Sequence, residues 1–374
     1  MSSVRKRILK SGETRWLTDY RDQDGTRRAR QFRSKREAVD FGNRTGVEIQ
    51  EGVHTPDSTS VTIAEAGELW LTWVANEQRE VGTLKQYRQH LTHVTALIGQ
   101  TKLSKLSPAA VAAFRDALLR NHSRKMAAKI LVSFKAILKE ANRRGLINRN
   151  PAATAKIEIA ARHEDGVNVP AKAEVCAMLS KSAELWPSTK PWRALIVVAA
   201  LTGLRLSELR GLTWPNVDVV AGTLKVVQRA DFECSLGSPK SKAGKRTVPL
   251  SPMVRNTLRE WKLASTEDDL VFPGANGKIL RTSGVHRMCW RPLLRALGLV
   301  DLGEDGKEAP RYTFHSLRHC AASLMIESGM QPKKLQTVMG HSSIKITFDV
   351  YGHLFDSAED DANAMAAAER RLFS

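Results

Sequence analysis

Two short motifs in the second half of this 374-residue chain carry side chains that can bind a phosphate. The first, TGLRLSEL, places Arg205 at a glycine-containing turn between two apolar stretches. The second, FHSLRH, sets His315 and Arg318 one helical turn apart, so both side chains can reach one ligand. Arginine offers paired N–H donors for phosphate oxygens, and histidine exchanges protons near neutral pH.

A histidine and a tyrosine follow. His341 lies in the segment MGH, and Tyr351 comes ten residues later. A tyrosine that occurs alone is most often a core residue. Glu208, three residues after Arg205, either orients that arginine or forms a plain surface ion pair with it. Together these side chains suit phosphodiester chemistry, because a tyrosine hydroxyl can attack phosphorus. The sequence shows no acidic cluster of the two-metal type and no G-x-x-x-x-G-K-[ST] loop, which argues against ordinary nucleases and ATP-driven enzymes.

In order and spacing, these segments resemble the tyrosine recombinase (phage integrase) family, and the resemblance covers nearly the whole chain. TGLRLSEL is similar to its first arginine box, HSLRH to its HxxR box and GHSS to its second-histidine box. The resemblance implies that Arg205, His315, Arg318 and His341 bind the scissile phosphate and that Tyr351 attacks it. It implies neither a metal nor another cofactor.

The family also implies a catalytic lysine on a β-hairpin. The stretch SPKSKAGKRTVPL resembles that hairpin, and we assign Lys240 as the group that protonates the leaving 5′-oxygen. Lys242 stays open as the alternative, because hairpin length varies within the family. The same resemblance makes His315 the candidate base for the tyrosine proton and His341 a donor to the phosphate.

The charge of the chain indicates a polyanionic partner. The net charge is +19, and the sequence pI is near 10.0. Residues 61–160 alone carry +9, and residues 85–156 hold 15 basic residues but only two acidic ones, Asp116 and Glu140. Counterion release rewards clustered positive charge on DNA, so binding to nucleic acid is favoured over a merely solvated surface.

The expected fold class is multidomain and mainly α with small antiparallel β-sheets (α+β). Residues 1–57 predict a basic sheet, with strands at 15–20 and 27–32, followed by a helix that Ser34 and Glu37 cap. Residues 61–160 are helical in pattern, and residues 168–374 are mixed. By family resemblance these are an arm-type DNA-binding domain, a SAM-like core-site-binding domain and the catalytic domain.

The last helix expected in the second segment, residues 123–143, has one apolar and one basic face. Basic side chains that could follow a DNA backbone are Lys125, Lys129, Lys135, Lys139, Arg143 and Arg144.

The resemblance implies a site-specific integrase, and the arm-like front domain favours integration or excision of a phage or mobile element. Its expected partners are double-stranded DNA, with core and arm sites, a homotetramer formed on DNA, and accessory DNA-bending or excision factors. An Ala-rich helix at residues 360–371 would dock on a neighbouring protomer or on its own domain. The alternatives are a type IB topoisomerase that relaxes DNA and a catalytically silent DNA-binding regulator.

The remaining sequence features predict a cytoplasmic protein without a membrane partner. The four cysteines lie far apart and show no zinc-ligand spacing, so neither disulfides nor structural zinc are expected. The most apolar stretch without a charge, residues 194–204, is too short to span a bilayer. The amino end lacks the apolar run of a secretory signal.

Overall fold

The computed structural model of the protein describes residues 2–52, 54–154, 158–159, 168–265, 269–303, 306–355, 365–366 and 369–373. It divides into two compact units, residues 1–164 and 165–374. Helices dominate both units, and the sheets are small and antiparallel, so the expected fold class is confirmed. No helix among the described residues has the length and apolar character needed to cross a membrane.

The first unit contains a three-stranded sheet followed by helices. Its elements are β1 (Ser3–Ile8), β2 (Thr14–Arg21), β3 (Arg27–Phe32), α1 (Lys35–Gln50), α2 (Ile63–Asn76), α3 (Val81–Ile98), α4 (Pro108–Asn121), α5 (Arg124–Arg143) and α6 (Pro151–Thr154).

The sheet has the order β1-β2-β3, and α1 packs on its central strand. Thr18 and Tyr20 of β2 are buried beneath the helix, where they contact Ala38 and Phe41, while the two outer strands are mostly exposed. The capping box of Ser34 and Glu37 starts α1 as the sequence predicts. Strand β1 is an addition to the two expected strands, and its alternation of basic and apolar residues is too weak to identify it in isolation.

The helices α2 to α5 share one apolar core. Trp70, Phe114, Ile130 and Phe134 are its large buried side chains. Serine or threonine caps begin three of these helices: Thr62 caps α2, and Ser107 and Ser123 cap α4 and α5.

The basic face of α5 is only partly available to a ligand. Lys125, Lys129 and Lys139 are exposed, as the helical periodicity predicts. Arg143 and Arg144, however, both bind the buried carboxylate of Glu140. Hydrogen bonding by Arg143 outweighs the cost of burial and lowers the pKa of Glu140 to about 2, so the end of α5 carries an internal counter-charge.

The stretch between α1 and α2, which the sequence indicates as a linker, is held by side-chain contacts within the unit. Asp57 accepts a hydrogen bond from Ser104 at 2.5 Å and forms an ion pair with Arg30 at 2.9 Å. The ring of His54 lies between Glu48, at 2.9 Å, and the hydroxyl of Tyr20. The finer division of this unit between residues 57 and 61 stays a prediction.

The second unit carries the motif residues. Its strands are β4 (Val217–Asp218), β5 (Thr223–Val226), β6 (Arg229–Ala230), β7 (Leu236–Gly237), β8 (Arg246–Pro249), β9 (Val300–Leu302) and β10 (Glu308–Pro310). Its helices are α7 (Lys172–Leu185), α8 (Trp192–Thr202), α9 (Leu206–Arg210), α10 (Pro252–Ala264), α11 (Thr282–Val285), α12 (Arg291–Ala296), α13 (Ser316–Glu327), α14 (Pro332–Met339) and α15 (Ile344–Tyr351).

Helix α8 forms the centre of the second unit. Its residues from Ala194 to Ala200 are all buried, which explains why this stretch is apolar without being a membrane span. Helices α7, α10 and α13 pack around it. The sheet β4-β5-β8 and the separate hairpin β6-β7 adjoin this helical core. The predicted helix at residues 360–371 falls largely outside the described residues.

Candidate active site

Arg205 lies at the start of α9, directly after a glycine turn. Helix α8 ends at Gly203, whose φ of 66° is in the left-handed region, and a Cβ there would come within 2.8 Å of Met339 Sδ. The guanidinium of Arg205 donates to Glu208 Oε1 at 2.9 Å and to the carbonyl oxygen of Gly340 at 3.2 Å. Its side chain is 37% exposed, so part of the guanidinium can meet a ligand from solvent.

Glu208 is the buried anion of the site. Arg246 donates to both of its carboxylate oxygens, at 3.1 and 2.9 Å, and the backbone N–H of Arg205 donates at 2.9 Å. Burial is the largest single influence and opposes ionisation, but the hydrogen bonds and charges of Arg246 and Arg205 together outweigh it, and the pKa of Glu208 lies below its usual value. Of the two interpretations of Glu208, the orienting one therefore agrees with the structure.

Arg318 projects from α13 and is almost completely buried. Its guanidinium donates to the carbonyl oxygens of Gly203 and Met339, both at 2.6 Å. Burial and the nearby Arg205 lower its pKa to about 9, which still leaves it protonated at neutral pH. Two carbonyls on separate segments thus fix the plane of this cation before any ligand arrives.

Three arginines converge on the carboxyl end of α14. Val338 O accepts from Arg246 Nε at 2.6 Å, and the next two carbonyls along the chain accept from Arg318 and Arg205. The last carbonyls of a helix have no partner within the helix, and they carry its negative dipole end. Gly340 closes the helix with φ 66°, and a Cβ there would come within 2.8 Å of Arg246 Nη1, so only glycine fits.

His341 follows directly and is buried. Its Nδ1 lies 3.0 Å from Thr347 Oγ1, so Nε2 is the ring nitrogen that remains to reach a phosphate. Burial is the main reason that its pKa falls to about 4, and Arg318 and Arg205 contribute. The ring is therefore neutral in the free protein. A bound phosphate would supply negative charge and raise this pKa.

His315 stands at the start of α13 and is exposed. Its ring meets that of His319 edge-on at 4.9 Å between centroids. Desolvation within this packed group, together with the neighbouring His319 and Arg318, lowers the pKa of His315 to about 4. It lies one turn from Arg318 on the same helix, as the sequence predicts.

Tyr351 is the last residue of α15, and its side chain turns into the site. The residue is 3% exposed, and its ring is stacked with that of His341 at 6.4 Å. Its hydroxyl lies 2.8 Å from His319 Nδ1. Burial raises the pKa of Tyr351 to about 12, so the hydroxyl keeps its proton at neutral pH.

The two candidate lysines lie between β7 and β8, and both are exposed. Lys242 begins a short 3-10 turn, Lys242–Gly244. This turn adjoins the site, because the carbonyl of Ala243 lies 3.1 Å from the position of a Cβ on Gly340. The choice of Lys240 over Lys242 stays a prediction.

The sequence motifs thus identified four side chains that the structure gathers at one place, Arg205, Arg318, His341 and Tyr351, with His315 at its edge. Sequence reasoning missed Arg246 and His319. The signal for His319 was present, since it follows Arg318 in FHSLRH and stands one turn after His315. Among the described residues no group of three or more His, Cys, Asp or Glu side chains could hold a metal ion.

The buried carboxylate gives a stability prediction. Glu208→Gln should lower the free energy of unfolding by about 3 kcal/mol at pH 7, because it leaves Arg246 buried without its anion. The wild-type contribution is complete above about pH 4.5, the usual value for this carboxyl, and disappears as the pH falls through the lowered folded pKa. Thermal unfolding at several pH values measures the loss of stability and its pH dependence. A Glu208→Gln variant as stable as wild type at pH 7 would contradict the role of Glu208 as the buried partner of Arg246.

Comparison with known proteins agrees with this geometry. The phage integrase family model matches residues 171–358, and the phage integrase SAM-like domain model matches residues 72–159. A XerC-like tyrosine recombinase of Caldanaerobacter subterraneus subsp. tengcongensis is 25% identical, over 92% of this chain and 93% of its own. The transposase of transposon Tn916 from Enterococcus faecalis is 30% identical, over 44% of this chain and 42% of its own.

Solved structures show the same fold. The Tn1549 transposon integrase in complex with a circular intermediate DNA has a TM-score of 0.67 at 19% identity, covering 83% of this chain and 99% of that one. The lambda integrase tetramer bound to a Holliday junction has a TM-score of 0.61 at 20% identity, covering 90% of this chain and 95% of that one. Neither a topoisomerase nor a regulator is favoured by these similarities. The chain belongs to the phage integrase family, and it is a site-specific tyrosine recombinase.

Proposed function

We propose that this recombinase cuts and rejoins DNA through a covalent bond between Tyr351 and a 3′-phosphate. The hydroxyl of Tyr351 attacks the scissile phosphorus and the 5′-oxygen leaves as a free hydroxyl. The 5′-hydroxyl of a partner strand then reverses the step, so the bond energy is retained and no ATP is needed. The observation that carries this proposal is the packing of Tyr351 against His341, beside the two arginines that the family boxes predict.

The side chains have separate tasks in this proposal. Arg205 and Arg318 stabilise the charge that grows on the non-bridging oxygens in the transition state, and they need little reorganisation because protein contacts already hold them. His341 donates to the same phosphate through Nε2, and His315, the base candidate that the family resemblance implies, binds this phosphate from the start of α13. Glu208 and Arg246 touch no reacting atom and act by positioning Arg205.

Lys240 supplies the proton to the leaving 5′-oxygen. Lys240→Ala should slow cleavage about 100-fold on ordinary DNA. A substrate with sulfur in place of the bridging 5′-oxygen has a leaving group that needs no proton, so it should restore the rate of this variant. Lys242→Ala is the matched control, with a small loss that sulfur does not repair. If sulfur instead rescues only Lys242→Ala, the acid is Lys242.

The three predicted domains divide the contact with DNA. We assign residues 1–57 to arm-type sites, residues 61–160 to the core site and residues 168–374 to catalysis. The exposed lysines of α5 and the exposed arginines of the first sheet are suited to phosphates, which position a protein on DNA without reading its sequence. The arm-like domain favours integration or excision of a phage or mobile element.

Strand exchange between two duplexes requires four cleavages, and we therefore propose a homotetramer assembled on DNA in the cytoplasm. Exposed apolar side chains at the carboxyl end, Met365, Leu372 and Phe373, are suited to docking on a neighbouring protomer. Accessory DNA-bending or excision factors would select the direction of the reaction.

Covalent trapping tests the proposal. The wild-type protein is incubated with nicked duplexes from the flanks of its own gene, and denaturing gels reveal any protein–DNA adduct. We expect an adduct whose peptide map identifies Tyr351 and whose DNA end is a 3′-phosphate. An adduct on another residue, or on a 5′-phosphate, would overturn the proposed chemistry.

A further inference from the structure

The hydroxyl of Tyr351 has a specific partner that the family boxes do not name. His319 lies on α13, one turn after His315, and its Nδ1 is 2.8 Å from the tyrosine oxygen. The centroids of the two rings are 5.8 Å apart. A side chain must lie within hydrogen-bond reach of a proton to remove it, and His319 meets this requirement in the free protein.

His315 occupies a different position in the same group. Its ring touches the ring of His319, not the tyrosine hydroxyl, among the contacts of the described residues. It also stands at the exposed start of α13, where an incoming DNA phosphate can reach it. The two histidine rings thus lie side by side, with His315 towards the ligand and His319 towards the nucleophile Tyr351.

The surroundings of His319 keep it neutral. The titratable and charged side chains described around it are His315 and Arg318 from its own helix, Tyr351 from α15 and His341 from the loop before α15. Helix α7 also packs on α13, and its Lys172 forms an ion pair with Glu327 at the far end of α13. Burial, then the cation of Arg318, lowers the pKa of His319, so at neutral pH its ring is uncharged and can accept a proton.

We propose that His319 is the general base that removes the proton of Tyr351, and this inference rests on Tyr351 being the nucleophile. As the bond from the tyrosine oxygen to phosphorus forms, the phenolic proton moves to His319 Nδ1. The bond from phosphorus to the 5′-oxygen breaks, and that oxygen receives a proton from the lysine acid. On rejoining, the 5′-hydroxyl attacks phosphorus and gives its proton back to the lysine, while the bond from phosphorus to the tyrosine oxygen breaks and His319 returns the proton to that oxygen.

Transfer during the attack is required by the chemistry of the pair. The pKa of the phenol, about 12, lies far above that of the histidine, so an ion pair would not form beforehand. The phenolic oxygen becomes acidic only as it bonds to phosphorus. Both His319 and Tyr351 therefore stay uncharged until the attack begins.

A set of single variants separates a base from a mere hydrogen-bond partner. In His319→Asn the amide oxygen can accept the tyrosine hydrogen bond but cannot take its proton, whereas His319→Ala removes both functions. Ser323→Ala is the matched control, because Ser323 donates to the carbonyl of His319 on the same helix without contacting the tyrosine. Single-turnover cleavage of nicked duplexes is measured from pH 5 to 9, together with DNA binding and thermal unfolding.

We expect His319→Asn to bind DNA as wild type does and to cleave it about 100-fold more slowly. The wild-type rate should fall as the pH drops through the lowered pKa of His319, and this acid limb should vanish in His319→Asn while persisting in His315→Asn. A substrate with sulfur in place of the bridging 5′-oxygen should not restore the cleavage rate of His319→Asn. The sulfur leaving group removes the need for the lysine acid but not the need for a base at Tyr351.

Two results would overturn the inference: cleavage by His319→Asn within about threefold of wild type, or loss of the acid limb in His315→Asn but not in His319→Asn. The second would assign the base to His315. Failure of wild type to form an adduct at Tyr351 would instead refute the proposed nucleophile, and the two failures are therefore distinguishable.

Discussion

Tyr351→Phe is expected to form no covalent adduct with DNA and to recombine no sites, because phenylalanine has no oxygen to attack phosphorus. The aromatic ring that stacks with His341 is retained, so the site should keep its shape. The loss of the hydrogen bond to His319 should lower the free energy of unfolding by about 1 kcal/mol. Denaturing gels after incubation with nicked duplexes measure the adduct.

The control for this experiment is DNA binding. Gel-shift titrations at one fixed salt concentration should give the same affinity for Tyr351→Phe and wild type, since the basic surfaces are unchanged. An adduct formed by the variant would show that another residue is the nucleophile. A variant that has lost DNA binding would show that Tyr351 is structural.

Arg318→Ala is expected to reduce the single-turnover cleavage rate by about 100-fold or more, the loss seen when a preorganised donor to a transition state is removed. The guanidinium is buried and held by Gly203 O and Met339 O, so its position does not depend on the ligand. Removing it takes away a fixed charge and leaves two carbonyl oxygens without their donor.

Arg318→Lys separates charge from geometry. Lysine keeps a positive charge but lacks the planar fork that spans two carbonyls, so its rate should lie between those of alanine and wild type. Thermal unfolding identifies any variant that has lost its fold. A folded Arg318→Ala that cleaves within tenfold of wild type would remove Arg318 from the chemistry.

Much of the site follows from the sequence because helical spacing is a strong constraint. His315 and Arg318 share one turn, and TGLR requires a left-handed glycine before Arg205, which the structure contains. Arg246 was missed for a physical reason, because its partner Glu208 is 38 residues away along the chain, and the pairing of His319 with Tyr351, 32 residues away, was missed for the same reason although His319 itself lies in the motif FHSLRH. Only tertiary folding brings such partners together.

Local signals also fix much of the fold. Capping boxes at Ser34 and Thr62 begin helices where expected, because they satisfy backbone groups within one turn. The choice between Lys240 and Lys242 does not follow from local signals. Both lysines are exposed in a connection between strands, where no packing alternation defines which side chain turns inward.

The arrangement of three arginines on three successive carbonyls has a consequence for how the protein can change. Substitutions at Val338 and Met339 leave the acceptors in place, because these residues contribute only backbone oxygens, whereas position 340 needs glycine. A deletion or insertion of a single residue in this turn would instead shift all three acceptors at once. The segment is therefore intolerant of changes in length, and chimaeras between relatives should exchange it as one uninterrupted block.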